Sequence, residues 1–319
     1  METKKENNDF REIYNKLMSS KKIIITLHKG PDGDSIGSCT AIKTFLENQG
    51  KEVKLISPDN ISENYEDFYF VKEIEFGKKL EDFNLNDFDV VLILDSGVPS
   101  QIKTTEEFLR TGFIINIDHH GTNNHYGNLD YVDSEKPSTA SILMEFFETL
   151  ETQKEFENSQ IIDEDIATKL AFGVYTDSRG LTARNAIQAL KDVNRLVNKG
   201  ARYLWMIENM KISLRLKKFY TYIINNMEYK DNVVWSILPK EKIDEFNLTL
   251  SEVRTGIVEL RSLKEFDIAF TLSEIEKGKI KVSFRSDSEE IDVSKFAQAL
   301  GGGLHRAAQV GEGREESPG

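Results

Sequence analysis

His28, Asp32 and Asp34 form the pattern H-x3-D-x-D within residues 28–38, a segment rich in glycine, proline and aspartate. Carboxylate oxygens together with one imidazole suit a hard or borderline divalent cation such as Mn²⁺ or Mg²⁺. The same residues also fit an ordinary Pro-Asp-Gly turn, in which aspartates accept hydrogen bonds from nearby backbone. The segment alone leaves both interpretations open.

Three further motifs add acidic and imidazole side chains later in the chain. Asp95 follows the apolar run VVLIL, residues 118–120 read Asp-His-His after the run FIINI, and residues 176–178 read Thr-Asp-Ser. Taken singly, Asp95 also fits a turn or a helix N-cap, and the Thr-Asp-Ser triplet also fits a turn that ends a helix. None of the three motifs identifies a metal site by itself.

The histidine pair His119-His120 has two other interpretations, a surface pair or a zinc site completed by His125. Zinc prefers nitrogen and sulfur donors in a closed tetrahedron, and Cys39, the single cysteine, lies in another segment. Because aspartates outnumber histidines among the candidate donors, Mn²⁺ is the favoured metal.

Short apolar segments must position these side chains. They read KKIIITLH, EVKLIS, FDVVLILDSG and GFIINIDHHG, and helical patterns flank them. Strands that alternate with helical segments indicate parallel βαβ units. In open α/β sheets, ligands bind beyond the carboxyl ends of the strands. His28, Asp95 and residues 118–120 are therefore expected on one rim of a parallel sheet.

The chain has 319 residues, enough for two domains. We predict a catalytic domain at 1–185, a helical connector at 186–228, a smaller α/β domain at 229–311 and a disordered tail at 312–319. The second domain is predicted from the strands NVVWSIL, FDIAFTLS and KIKVSFRS, and from a helical segment, VSKFAQAL, that leads into GGGLHRAA.

Three consecutive glycines, Gly301, Gly302 and Gly303, precede Leu304 and His305 in that last segment. Glycines let backbone N–H groups approach an anion closely. A flexible linker is the alternative, but the helical pattern before the glycines and the His-Arg after them favour an anion site.

Composition and charge limit the function. The formal net charge is −13, which argues against tight binding of long duplex nucleic acid, because phosphate contacts dominate that affinity. One cysteine excludes an intrachain disulfide. The N-terminal residues lack the apolar core of a secretory signal, and the apolar runs are too short to span a bilayer. We expect a cytoplasmic protein without a membrane partner.

In order and context, the motifs HKGPDGDSIGS, LDSG, DHH, TDS, SFRS and GGG-x-H resemble those of the DHH–DHHA1 phosphoesterases, of the nanoRNase and pAp phosphatase type. The resemblance covers about residues 8–311. It implies an α/β fold: an N-terminal DHH domain with a mainly parallel sheet flanked by helices, a helical connector and a smaller C-terminal α/β DHHA1 domain.

The resemblance also implies two Mn²⁺ ions, with Mg²⁺ as a substitute. By similarity, His28 and Asp32 would bind one ion, and Asp34, His119 and Asp177 would bind the other. Asp95 would bridge both ions and act in catalysis.

Two neighbouring residues have implied roles around the metals. His120 would face the substrate phosphate, either stabilising it or helping to protonate the leaving group. Asp118 would orient the histidine pair from outside the metal site.

The second domain would hold the substrate. The resemblance assigns this role to Gly301, Gly302, Gly303 and His305, with Arg285 of the SFRS strand and Arg306 as cationic partners; arginine suits bidentate contact with phosphate. Short single-stranded RNA and small nucleotides are the expected partners, and a homodimer is compatible with the family. Leu304 and Gln309 stand where the family usually has glycine.

The expected function is hydrolysis of short oligoribonucleotides to mononucleotides and removal of the 3′-phosphate of pAp, as a 3′–5′ exoribonuclease and bisphosphate nucleotidase. A phosphodiesterase of linear or cyclic dinucleotides, such as pApA or c-di-AMP, is the nearest alternative. An inorganic pyrophosphatase of family II would lack the GGG-x-H segment, and a RecJ-type exonuclease would need added DNA-binding domains. A non-catalytic nucleotide-binding regulator is the alternative outside the enzymes.

Overall fold

The computed structural model describes residues 7–153, 160–183, 185–286, 291, 293 and 296, and the backbone of residues 309–314. Within the chain, residues 1–211 form one compact unit and residues 212–319 form a second. The predicted fold class is confirmed, since the first unit carries a parallel sheet flanked by helices and the second carries a smaller sheet.

The first unit contains a six-stranded sheet in which each neighbouring pair runs parallel. Its strands are β1 (Lys22–Thr26), β2 (Glu52–Ser57), β3 (Glu75–Phe76), β4 (Val90–Leu94), β5 (Ile114–Asp118) and β6 (Leu129–Val132). The spatial order is β3-β2-β1-β4-β5-β6, so the chain reverses direction across the sheet between β1 and β4. Such a switch point leaves a crevice at the carboxyl ends of the two strands, where ligands bind.

Helices flank this sheet, as the sequence pattern predicts. They are α1 (Phe10–Ser19), α2 (Gly33–Asn48), α3 (Glu106–Leu109), α4 (Thr139–Glu151), α5 (Glu164–Asp177), α6 (Ala186–Asn198) and α7 (Tyr203–Asn209). Every residue of β4 and of β5 is buried, as expected for strands covered on both faces. Asp177 of the Thr-Asp-Ser triplet is the last residue of α5, and the turn begins after it.

Helices α2 and α5 approach each other closely because glycines line their contact. A Cβ added at Gly37 would collide with the Lys169 carbonyl oxygen and lie 2.9 Å from the Gly173 backbone nitrogen. A Cβ at Gly173 would in turn lie 2.9 Å from Asp34 Oδ1. The glycines therefore bring the N-terminal turn of α2 against the C-terminal half of α5.

The outer edge of β6 is covered by side chains rather than by another strand. Asn7 Nδ2 donates to Val132 O and Asn7 Oδ1 accepts from Val132 N, both at 2.8 Å. Asn8 does the same for Asp130, donating through its backbone N–H at 2.8 Å and accepting through its side chain at 2.9 Å. The two asparagines thus satisfy polar groups that an edge strand otherwise exposes.

The helices predicted to form a connector at 186–228 are divided between the two units. Ala189, Val193 and Leu196 of α6 and Met206 of α7 are buried in the core of the first unit. The next helix contributes Phe219 to the core of the second unit.

The second unit has helices on a mixed sheet of order β11-β10-β9-β8-β7. Its elements are α8 (Leu214–Asn225), β7 (Met227–Lys230), β8 (Val233–Leu238), α9 (Lys240–Glu245), α10 (Leu250–Arg261), β9 (Ile268–Glu276), β10 (Lys279–Ser286) and β11 (Gln309–Arg314). Strands β8 and β9 are parallel, and the other pairs are antiparallel. Residues 312–314 belong to β11, so backbone pairing with β10 orders that part of the predicted tail.

The predicted helix VSKFAQAL lies mostly outside the described residues.

None of the helices in the described part of the chain combines the length and the apolar character that a membrane span requires.

We expect Gly37→Ala to lower the free energy of unfolding by about 1–3 kcal/mol, the usual effect of overpacking a close contact. The new methyl meets backbone atoms of α5, so the helices must separate, and Asp34 and Asp177 separate with them. Urea unfolding measures the loss. Asn48→Ala, at an exposed position of the same helix, is the control; equal stability of wild type and Gly37→Ala would show that the close approach is not required.

Candidate metal centre

The predicted donor side chains meet at the crevice between β1 and β4. His28 lies two residues beyond β1, Asp95 directly follows β4, and His119 directly follows β5. Asp32 is the N-cap of α2, and Asp34 lies in the first turn of that helix. Asp177 reaches the same place from the end of α5. Within the described part of the chain, these residues and His120 form three groups whose ligand atoms lie within 4.8 Å of one another, and His125 joins none of them.

The first group consists of His28, Asp32 and Asp95. His28 Nε2 lies 3.5 Å from Asp32 Oδ1 and 3.5 Å from Asp95 Oδ2. On the other side of the ring, His28 Nδ1 lies 3.0 Å from the Lys29 carbonyl oxygen, which can only accept a hydrogen bond. Nδ1 therefore carries the proton, and Nε2 is directed at the carboxylates as a metal-ligating nitrogen would be.

The second group consists of Asp34, His119 and Asp177. His119 Nε2 lies 4.0 Å from Asp34 Oδ2 and 3.7 Å from Asp177 Oδ2. Atoms at these separations can share one cation, since metal–ligand bonds of about 2.0–2.2 Å place neighbouring ligands about 3–4 Å apart.

Asp95 connects the two groups. Its Oδ2 faces His28, whereas its Oδ1 lies 3.5 Å from His119 Nε2. A carboxylate that bridges two ions directs its oxygens in this way. Asp95 is buried and has a φ of 57°, in the left-handed region that non-glycine residues seldom adopt. Strained backbone of this kind is concentrated at functional sites.

The N-terminus of α4 holds two of these carboxylates, which the sequence motifs did not indicate. Thr139 N donates to Asp34 Oδ2 at 2.7 Å, and Ala140 N donates to Asp34 Oδ1 at 2.9 Å. The Thr139 hydroxyl lies 3.2 Å from Asp95 Oδ1. The first N–H groups of a helix have no partner within it and favour an anion. The only sequence signal was the run Ser138-Thr139 before an apolar helix.

His120 is oriented by Asp118. His120 Nδ1 lies 2.7 Å from Asp118 Oδ1. Burial alone would lower the pKa of His120, but this hydrogen bond and the nearby carboxylates raise it to about 9. Burial alone would likewise raise the pKa of Asp118, yet His120 holds it below the usual range. These shifts favour an ionised Asp118 that accepts a hydrogen bond from His120 Nδ1–H.

The electrostatics of the centre favour a cation. Burial, together with the negative charges of Asp95, Asp177 and Asp32, raises the pKa of Asp34 well above its ordinary value. Burial also raises the pKa of Asp177 to about 6, with Asp32 and Asp95 adding to the rise and His119 opposing it. Carboxylates that resist ionisation because they crowd together are stabilised by a bound cation. The oxygen-rich donor set suits Mn²⁺ or Mg²⁺.

The substrate residues predicted for the second domain are only partly described. Arg285 lies near the end of β10, and its guanidinium donates to Phe284 O at 2.8 Å. Burial, with the positive charges of Arg261 and Arg254, lowers the pKa of Arg285 to about 10. Gly301, Gly302, Gly303, His305 and Arg306 lie outside the described residues.

We expect Mn²⁺ to stabilise the protein more at about pH 8 than at about pH 5. The raised carboxyl pKa values mean that the metal-free folded state binds extra protons, so its stability falls as pH rises through about 6. A cation replaces those protons and reverses this loss. Thermal melting with Mn²⁺ or with EDTA across this pH range measures both effects. Asp177→Asn should reduce the rise in melting temperature that Mn²⁺ causes. A rise that is the same at every pH would contradict the assignment of these carboxylates as metal ligands.

Comparisons with known proteins show which family the first unit resembles. Residues 22–174 match the DHH family, N-terminal domain. A probable bifunctional oligoribonuclease and PAP phosphatase NrnA of Streptococcus mutans is 24% identical over 306 residues, covering 94% of this chain and 92% of the relative. The bifunctional oligoribonuclease and PAP phosphatase NrnA of Thermus thermophilus is 27% identical and covers 89% of this chain and 81% of its own length.

A solved structure shows the same fold over nearly the whole chain. The exopolyphosphatase-related protein of Bacteroides fragilis superposes with a TM-score of 0.81 at 23% identity, covering 97% of this chain and 92% of that one. This fold and the match of residues 22–174 to the DHH family, N-terminal domain, agree with the family resemblance predicted from the motifs.

Proposed function

We propose that the protein is a Mn²⁺-dependent phosphoesterase that hydrolyses short oligoribonucleotides to mononucleotides and removes the 3′-phosphate of pAp. One observation carries the proposal: two groups of donor atoms are joined through the two oxygens of Asp95. The names of the Streptococcus and Thermus relatives support this choice of substrates.

Each ion would have its own protein ligands. His28 and Asp32 would hold one, whereas Asp34, His119 and Asp177 would hold the other; Asp95 would contact both. When bound, two such cations supply a hydroxide near neutral pH and offset charge on the phosphoryl oxygens. The six ligands include four carboxylates, so two divalent ions bring the formal charge of the centre near zero.

The chain's own groups set the geometry of the reaction. The N–H groups at the start of α4 hold Asp34 by both oxygens, and the Thr139 hydroxyl contacts Asp95. Asp95, whose backbone is left-handed, faces the two groups of donors with different carboxylate oxygens. These contacts fix the ligands before the substrate arrives, and such preorganisation lowers the barrier to reaction.

His120 would serve the substrate. Its Nδ1–H is held by Asp118, so Nε2 can hold a proton toward the phosphate or the departing ribose oxygen. A proton at this position stabilises charge on the phosphate or neutralises the leaving alkoxide.

The second unit would contribute a cationic side chain that binds phosphate. Arg285 would fill this role, because its guanidinium suits bidentate contact with a phosphate. Gly301–Gly303, His305 and Arg306 remain predicted partners of the same phosphate. The proposed domain boundaries at 185, 228 and 311, and a homodimer, likewise remain predictions.

We expect Mn²⁺ to support release of mononucleotides from end-labelled RNA of two to five nucleotides and of phosphate from pAp. Asp95→Asn should lower kcat more than about 100-fold, because loss of a shared ligand should exceed the usual effect of residues that only support ligands. Rates on each substrate, with and without EDTA, measure both. Asp87→Asn, at an exposed acid, is the matched control.

The same panel includes pApA, c-di-AMP and pyrophosphate. Faster turnover of a dinucleotide or of pyrophosphate than of RNA and pAp would replace the proposed substrates. Absence of hydrolysis under all metals and pH values would leave a nucleotide-binding regulator as the interpretation. Full activity of Asp95→Asn would remove Asp95 from the metal centre.

We expect Arg285→Ala to raise KM for pAp and short RNA about 10-fold or more with little change in kcat, since it would remove binding that is equal in the ground and transition states. Arg285→Lys should recover only part of the loss, because lysine lacks the bidentate fork. Steady-state kinetics measure the split. Lys277→Ala, an exposed cation in the turn before β10, is the control; an unchanged KM in Arg285→Ala would exclude Arg285 from the substrate site.

A further inference from the structure

A buried amide, Asn123, contacts Asp118, the carboxylate that orients His120. Its side chain is 7% exposed, and it lies in the loop that follows the Asp-His-His motif. Asn123 Nδ2 lies 2.7 Å from Asp118 Oδ2 and 2.7 Å from Asn116 Oδ1. The two N–H bonds of the amide are therefore directed at two oxygen acceptors.

The orientation of this amide is determined by its third contact. The backbone N–H of His125 donates to Asn123 Oδ1 at 2.7 Å. Since that N–H can only donate, the oxygen and the nitrogen of the Asn123 amide cannot be exchanged. The loop thus presents a fixed donor to Asp118.

Asp118, held by Asn123, in turn determines the orientation of the His120 ring. Its Oδ2 accepts from Asn123, while its Oδ1 accepts from His120 Nδ1 at 2.7 Å. Asp118 is fully buried, so water cannot replace either hydrogen bond without a rearrangement. A carboxylate held at one oxygen keeps its other oxygen, and the imidazole bound there, in a single position.

The amide network also reaches the loop after Asp95. Asn116 Nδ2 lies 3.2 Å from the Ser96 carbonyl oxygen, and the Tyr126 hydroxyl donates to the same oxygen at 2.9 Å. Asn116 in turn accepts from Asn123. One buried network therefore joins the residue after the shared ligand to the carboxylate that orients His120.

We propose that Asn123 is a positioning residue, which fixes Asp118 and through it directs His120 at the substrate. The role for substrate turnover rests on the proposed function, whereas the effect of Asn123 on the His120 ring does not. Aspartate has the shape of asparagine, but an oxygen in place of Nδ2 would face Asp118 Oδ2 and repel it. Asn123→Asp is therefore expected to be more harmful than Asn123→Ala.

The kinetic test uses the full chain with Mn²⁺ and pAp. We expect Asn123→Ala to lower kcat about 10–100-fold, the usual effect of residues that support a site, with KM and Mn²⁺ affinity within about twofold of wild type. Asn123→Asp should lose more. Asn124→Ala is the control, because this neighbouring asparagine makes only an exposed 3.4 Å contact with Glu106 through its side chain.

A double-mutant cycle separates positioning from a general structural effect. If Asn123 acts through His120, adding Asn123→Ala to His120→Ala should lower kcat no further than His120→Ala alone. An equal loss in both backgrounds would overturn the proposal. So would wild-type kcat in Asn123→Ala.

A second readout does not depend on activity. In protein labelled with ¹⁵N-histidine, His120→Ala identifies the His120 signals among the five histidines. We expect the Nδ1–H signal of His120 to be protected from exchange in wild type and in Asn124→Ala, and to be lost in Asn123→Ala and Asn123→Asp. An unchanged signal in folded Asn123→Asp would overturn the proposal, whereas inactivity of the wild type on each phosphoester would overturn only the proposed function.

Discussion

Mutual repulsion among four carboxylates is the constraint on which the first unit depends. Asp32, Asp34, Asp95 and Asp177 are brought together at the crevice of the sheet. Two like charges about 4 Å apart in a partly buried setting repel by about 4 kcal/mol, so the fold must supply compensating contacts. Helix N-termini do this for two of them, through Ser35 N for Asp32 and the α4 amides for Asp34.

Asp177 differs because it lies at the C-terminal end of α5. Burial, with the charges of Asp32 and Asp95, raises the pKa of this carboxyl to about 6, and carbonyl dipoles at a helix C-terminus also disfavour negative charge. Backbone donors hold Asp32 and Asp34 in place, whereas Asp177 would gain most from a cation. The proposed centre would therefore combine preformed ligands with one ligand, Asp177, that depends more strongly on the ion.

The rim of the sheet could be predicted from the sequence because apolar strands end within two residues before His28, Asp95 and His119. The parallel sheet, the α/β class and the expectation that these residues lie on one rim followed from that pattern, whereas the assignment of ligands to two ions came from the family resemblance. The Thr-Asp-Ser triplet is harder to place from the sequence, because it resembles a turn although Asp177 still belongs to α5.

Contacts between distant segments could not be predicted in the same way. The amides of Thr139 and Ala140 meet Asp34 across more than 100 residues, and backbone donors leave no trace in residue type. The sequence does not distinguish Asn123 from other loop asparagines, and only the structure shows its contact with Asp118. Glycine is needed at position 37 because a larger side chain would collide with α5. The sequence does not show that α5 lies there.

Asn7 and Asn8 cover the outer edge of the sheet at β6. Their groups pair with the main chain of β6 as a neighbouring strand would, so an extended segment from another molecule meets no row of vacant donors and acceptors there. Recruitment of foreign strands is the usual route from a folded sheet to an aggregate. Two short amides thus close the β6 edge of a sheet whose carboxyl-terminal rim must stay open for the proposed chemistry.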